Sequence, residues 1–151
     1  MRPGGVSIRR AVDPGDIARC HAVMAELRPH VGAEELVSRV QRQVREAGYR
    51  MAFAESAGTI RSVAGYRVSE CLAWGRFLYV DDLVTRAEDH GGGFGSALFD
   101  WLVDEARRER CDQLHLDSGV QRFGAHRFYL GKGMDITSHH FAMRLGVPPD
   151  G

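Results

Sequence analysis

At 151 residues the chain has the length of one globular domain, enough to bury a core without disulfide or metal staples. Hydrophobic residues at 44% and charged residues at 26% exclude a disordered or collagen-like chain. A formal net charge of zero argues against a general nucleic-acid binder, whose affinity rests on excess positive charge against phosphates.

In chain order, residues 6–9 read as a short first strand. Asp13 then serves as N-cap with Pro14 at the first helical position, and Ile17, Cys20, His21, Met24 and Leu27 recur at helical spacing until Pro29 stops the run. A second helix is expected over residues 33–47, with Leu36, Val37, Val40 and Val44 on one face, Arg39, Arg42 and Arg45 on a solvated one, and Gly48 as its stop. Residues 51–55 and 59–69 form a hairpin around Ser56-Ala57-Gly58. Residues 76–85 have the apolar density of a central strand covered on both faces. A helix over 94–110, a strand at 113–117, a helix at 122–130 and strand segments at 134–137 and 141–145 complete an α/β order with two helices early and two late. No apolar run nears the roughly 20 residues of a membrane span and no signal-peptide core is present, so a cytoplasmic protein without membrane attachment is expected. Cys20, Cys71 and Cys111 are odd in number and far apart, which reads as reduced thiols and no metal site.

The most informative segment runs from Asp82 to Leu98, where a strand enters a glycine-crowded turn and a helix begins. Helix N-terminal amides lack internal partners and sit at the positive end of the dipole, so Gly91, Gly92, Gly93 and Gly95 leave a phosphate free to approach them. A P-loop is excluded because the lone lysine, Lys132, precedes Gly133; the dinucleotide fingerprint fails on spacing. The frame His90-Gly91-Gly92-Gly93-Phe94-Gly95 resembles motif A of the GNAT acetyltransferases, although His90 stands where Arg or Gln is usual and Gly92 where a basic residue is common. Some 30 residues on, Ala125-His126-Arg127-Phe128-Tyr129 followed by Gly133-Met134 is similar to the family's motif B, with Arg122 in the place of a frequent asparagine.

The resemblance implies a mixed, mostly antiparallel central sheet of six to seven strands, splayed at the cofactor site and flanked by four helices, in a single domain. It implies acetyl-CoA as cofactor, with Leu83, Val84 and Thr85 bonding pantetheine through their backbone. The pyrophosphate would lie on His90, Gly91, Gly92, Gly93, Phe94, Gly95 and Ser96, and further contacts would come from Arg122, Ala125 and Phe128. It also implies Tyr129 as the general acid for the coenzyme A thiolate. The dipeptide Asp81-Asp82 resembles the paired acids of spermidine/spermine acetyltransferases. Asp81 is assigned as a water-relayed base and Asp82 as a second amine contact, and strand alternation predicts that one of them faces the cleft and the other points away. Arg28 and His30 flank Pro29 where relatives place the substrate lip; His139 precedes the last strand and completes the substrate set. Transfer to a primary amine in a ternary complex is the expected activity, with dimers common among relatives. A coenzyme A-binding module of the same fold without transfer stays open as the second reading, and an arginine-faced interaction domain as the third.

Overall fold

The computed structural model describes residues 5–146, which form two compact units, the first running through Leu116 and the second beginning at Asp117. The first unit is built on five strands: β1 (Ser7–Arg10), β2 (Tyr49–Ser56), β3 (Thr59–Cys71), β4 (Gly75–Thr85) and β5 (Gln113–Leu116). They lie side by side in chain order, antiparallel from β1 to β4, with β5 parallel to β4. Its helices are α1 (Pro14–Arg19), α2 (His21–Leu27), α3 (Ala33–Ala47) and α4 (Phe94–Arg108).

Local chemistry accounts for most of these boundaries. The Asp13 carboxylate accepts the Asp16 amide at 2.9 Å, capping α1. The helix expected to continue through residue 27 breaks at Cys20, whose amide bonds the Ile17 carbonyl three residues back at 3.1 Å and so tightens the turn there. Gly48 ends α3 at φ 69°, and the Ala57-Gly58 turn has positive φ at both residues, as a two-residue hairpin demands.

Side chains alternate to the two faces of the sheet and bury two cores. On one face Met51, Phe53 and Val63 pack with Ile17, Val23, Met24, Leu36 and Val40 from α1, α2 and α3. On the other, Ala64, Tyr66, Leu78 and Val80 pack against Leu98, Leu102 and Ala106 of α4. Leu98 and Leu102 are fully enclosed; each such leucine contributes about 1.5–3 kcal/mol by leaving water. Val44, expected inward, is exposed.

One irregularity decides where the site forms. In the β3–β4 ladder Gly65 faces Asp82 and Tyr66 faces Val80, so Asp81 is an extra residue, a β-bulge.

The second unit holds α5 (Phe123–Gly131), and no strand forms among its described residues. The strands expected at 134–137 and 141–145 are therefore absent, which gives five strands where six to seven were expected. Alternating apolar residues supply the side chains of a strand but not the neighbouring backbone that pairs one, and Phe141, Met143 and Leu145 are exposed. The split of the first helix gives five α-helices among the described residues where four were expected. The mixed, mostly antiparallel sheet stands as expected.

Candidate active site

The bulge changes the geometry expected for the acidic pair. Up to Tyr79, β4 follows the ordinary alternation opposite Arg67; past the extra residue it resumes with Asp82 opposite Gly65. Asp81 and Asp82 consequently share the face that carries α1 to α3, and both line one cavity of about 280 Å³. The expectation that they point to opposite faces is corrected by this one-residue slip.

Each carboxylate is held. Arg67 forks onto Asp81 with its Nε at 2.8 Å from Oδ2 and its Nη2 at 2.9 Å from Oδ1. That hydrogen bonding raises the Arg67 pKa above its ordinary value. Arg28 donates from Nε to Asp82 Oδ1 at 2.8 Å and from Nη2 to the Asp81 carbonyl at 3.0 Å. The Tyr49 hydroxyl donates to Asp82 Oδ2 at 2.9 Å. Burial, then the Asp82 charge, pushes that phenol well above its usual range, so it remains a donor. The turn carrying Arg28 and His30 is pinned by the Val31 amide on the Arg28 carbonyl at 3.1 Å and by His21 Nε2 on the Val31 carbonyl at 3.0 Å. His30 lies on the cavity wall with Arg39 of α3, which was expected on a solvated face.

At the far end of β4 the sheet opens. β5 pairs with β4 only from Phe77 to Val80, so from Asp81 to Thr85 that edge has no strand partner among the described residues. Leu83, Val84 and Thr85 lie on this edge, Leu83 packed toward the α4 core and Val84 toward the opposite one. The chain then makes a single 3-10 turn (Ala87–Asp89) and enters α4 through Gly93, which sits at φ 86° where a side chain would be strained. No side chain caps α4, and its first internal bond is Ala97 N–H to the Gly93 carbonyl at 2.9 Å. The amides ahead of that bond, from Phe94 and Gly95 to Ser96, precede the helix's own ladder. Gly95 brings the helix against β4, since a Cβ there would lie 2.7 Å from Thr85 Oγ1. Gly92 approaches the Asp89 carbonyl, and Gly91 has open space but a φ of 84°.

Cations near this turn are already engaged. Asp89 receives Arg86 Nε at 2.7 Å and Arg61 Nη1 at 3.1 Å, and its pKa is lowered, first by the Arg86 hydrogen bond. His90 reaches the Thr85 carbonyl through Nε2 at 3.0 Å, and since a carbonyl only accepts, Nε2 is the donor there. A strand edge without a strand partner, leading to a glycine-lined helix start with no side-chain cap, fits a ligand that ends in a pyrophosphate.

The other expected site residues lie in the second unit. Arg122 is the N-cap residue of α5, and Ala125 and Phe128 are half-buried on it. Tyr129 is half-buried beside Phe128, ring centroids 5.3 Å apart, and burial raises its phenol pKa. His139 is exposed beyond α5. The sequence reading missed Tyr49, Arg67, Gly65 and Arg39: Tyr49 and Asp82 are 33 residues apart, and no local pattern announces such a pairing.

Residues 19–134 match the Acetyltransferase (GNAT) family. Among curated proteins, the uncharacterized N-acetyltransferase YhdJ of Bacillus subtilis (strain 168) is 30% identical over 137 residues, covering 90% of this chain and 96% of its own. The aminoalkylphosphonate N-acetyltransferase of Salmonella typhimurium is 32% identical over 66 residues, 44% of this chain and 43% of that one. Among solved structures, the aminoglycoside N-acetyltransferase AAC(6')-Iy in complex with CoA superposes with a TM-score of 0.80 at 10% identity, covering 92% and 93% of the two chains. Among the described residues no helix is long and apolar enough to cross a membrane. With the family matched over most of its length and its fold shared, the chain belongs to the GNAT acetyltransferases, acyltransferases whose cofactor is acetyl-CoA.

Proposed function

We propose that this enzyme moves an acetyl group from acetyl-CoA to the primary amine of a small molecule or peptide by direct attack in a ternary complex. The observation that carries the reading is the bulge that turns both Asp81 and Asp82 into one cavity on β4, beside the strand's unpaired edge. Bound acetyl-CoA supplies an acyl carbon activated by its thioester sulfur. The β4 backbone at Leu83, Val84 and Thr85 and the start of α4 would hold it. Asp81, 26% exposed against 14% for Asp82, has access to water and relays away the proton the amine sheds as its nitrogen bonds the acyl carbon. Asp82, anchored by Arg28 and Tyr49, receives the amine and orients it. As the carbon–sulfur bond breaks, Tyr129 gives the sulfur a proton. The motif match supports that role, as does the burial that keeps its phenol protonated at neutral pH.

The partial likeness to an aminoalkylphosphonate N-acetyltransferase supports a small-molecule acceptor over a protein one. Thiol release from acetyl-CoA, followed across a panel of primary amines, tests the reading. At least one amine should drive release, Asp81→Asn and Tyr129→Phe should each lower kcat by about 10²-fold, and acetyl-CoA should still raise the Tm of both variants. Acetyl-CoA stabilisation without turnover of any amine would replace transfer with the coenzyme A-binding module. A folded Gly93→Glu variant that is still stabilised would move the phosphate site away from α4.

A further inference from the structure

The cavity beside the acidic pair is charged unevenly. Asp81 and Asp82 line its strand side, and each carboxylate is already met by a guanidinium, Asp82 by Arg28, which also lines the cavity, and Asp81 by Arg67, so these charges balance. On its helix side stands Arg39, whose ion pair is with Glu35 at 3.8 Å, one turn away and 60% exposed. Such an i,i+4 surface pair contributes little and yields readily to a better partner. His30 shares that wall on its pinned turn. Arg28 uses Nε and Nη2 on Asp82 and the Asp81 carbonyl, and its Nη1 edge keeps donors to spare. Leu36 and Val40 line the space along α3.

We infer that the acceptor is a small amine carrying an acidic group, its anion received by Arg39 and His30 with the remaining edge of Arg28, and its nitrogen by Asp81 and Asp82. A cavity of about 280 Å³ suits a molecule of amino-acid size, at the lower end of ligand pockets. A polyamine fits less well, since the balanced carboxylates offer no surplus negative charge and Arg39 repels a second cation. Arg39 therefore selects among acceptors without touching the reacting atoms.

The nitrogen half of this inference rests on the amine-transfer reading above; the anion half does not. Four acceptors test it by thiol release: 3-aminopropanoate, 2-aminoethyl phosphate, ethanolamine and spermidine. Wild type should favour the acidic pair over ethanolamine by about tenfold or more in kcat/KM, and the better of the two acids tells carboxylate from phosphate. Arg39→Ala should raise KM for that acid about tenfold with kcat within roughly threefold, bringing the acid-to-neutral ratio near one; Arg39→Lys should restore part of it. Equal turnover of ethanolamine or spermidine in wild type would overturn the inference, as would a parallel loss for every acceptor in Arg39→Ala. Should no amine be acetylated, transfer fails on its own. Calorimetric titration of 2-aminoethyl phosphate and 3-aminopropanoate into the coenzyme A-saturated protein then decides: binding of either that Arg39→Ala abolishes sustains the acid subsite, and no binding of either ends it.

Discussion

Gly65 is where β3 makes room for the site. Tyr49 leaves β2, crosses β3 at this residue and meets Asp82 on β4; a Cβ at Gly65 would overlap the Tyr49 phenol and lie 2.7 Å from Asp82 Oδ2. Gly65→Ala should therefore push Tyr49 aside, breaking its half-buried hydrogen bond to Asp82 and straining a packed core. We expect a loss of about 1–3 kcal/mol, read as a lower urea midpoint at unchanged slope. Tyr49→Phe, which removes the hydroxyl alone, should cost about 1–2 kcal/mol. A wild-type midpoint for Gly65→Ala would mean that Tyr49 does not cross so closely. At this scale the acidic dipeptide was legible because Asp81 and Asp82 are neighbours in the chain. The residues that hold them were not, since Arg67 lies 14 residues from Asp81 and Arg28 lies 54 from Asp82.

The strand, glycine turn and helix form a unit whose shape is fixed from outside. Arg61 reaches Asp89 from β3, where it is the extra residue of a second register slip, between Ala54 and Glu55 on the partner strand. Arg86 reaches it from the end of β4, and Glu26 of α2 accepts the Ala87 amide at 2.8 Å. Because Arg86, with Arg61, holds the folded Asp89 pKa below its unfolded value, the unfolded chain binds this proton more readily. The resulting stabilisation is complete above the ordinary carboxylate value of about 4 and is lost as pH falls from there through the folded value. Tm profiles of wild type and Asp89→Asn should thus lie apart at neutral pH and converge in acid; a gap constant down to about pH 2 would show that Asp89 titrates alike in both states. The strand–turn–helix unit could be read from sequence because its signals are contiguous: apolar residues, glycines, then helical spacing. The bulge at Asp81 could not, because a one-residue slip is set by pairing between β3 and β4 and leaves the composition of each strand unchanged.

Across the whole molecule, legibility follows how local the forces are. The first unit's strands and helices carry their own caps and turns; the segment after Gly133 carries only alternation, which says strand without supplying a partner, and there the expectation failed. The core that α1 to α3 close over the sheet has a built-in reporter. Cys20 is fully buried between α1 and α2, and burial pushes its thiol up to about 12, so it is neither reachable nor ionised near neutral pH. In a Cys71→Ser, Cys111→Ser background, iodoacetamide should label Cys20 only through unfolding that opens this core. Acetyl-CoA binds the folded state, so it should slow labelling in proportion to one plus its concentration over Kd, about 100-fold at 100 times Kd. That dependence joins the core on one face of the sheet to the open edge of β4 through a single cooperative transition. Labelling slowed in this proportion would show that Cys20 opens only when the cofactor site is lost. Labelling indifferent to acetyl-CoA would show that α1 and α2 open locally while β4 and α4 keep the site intact.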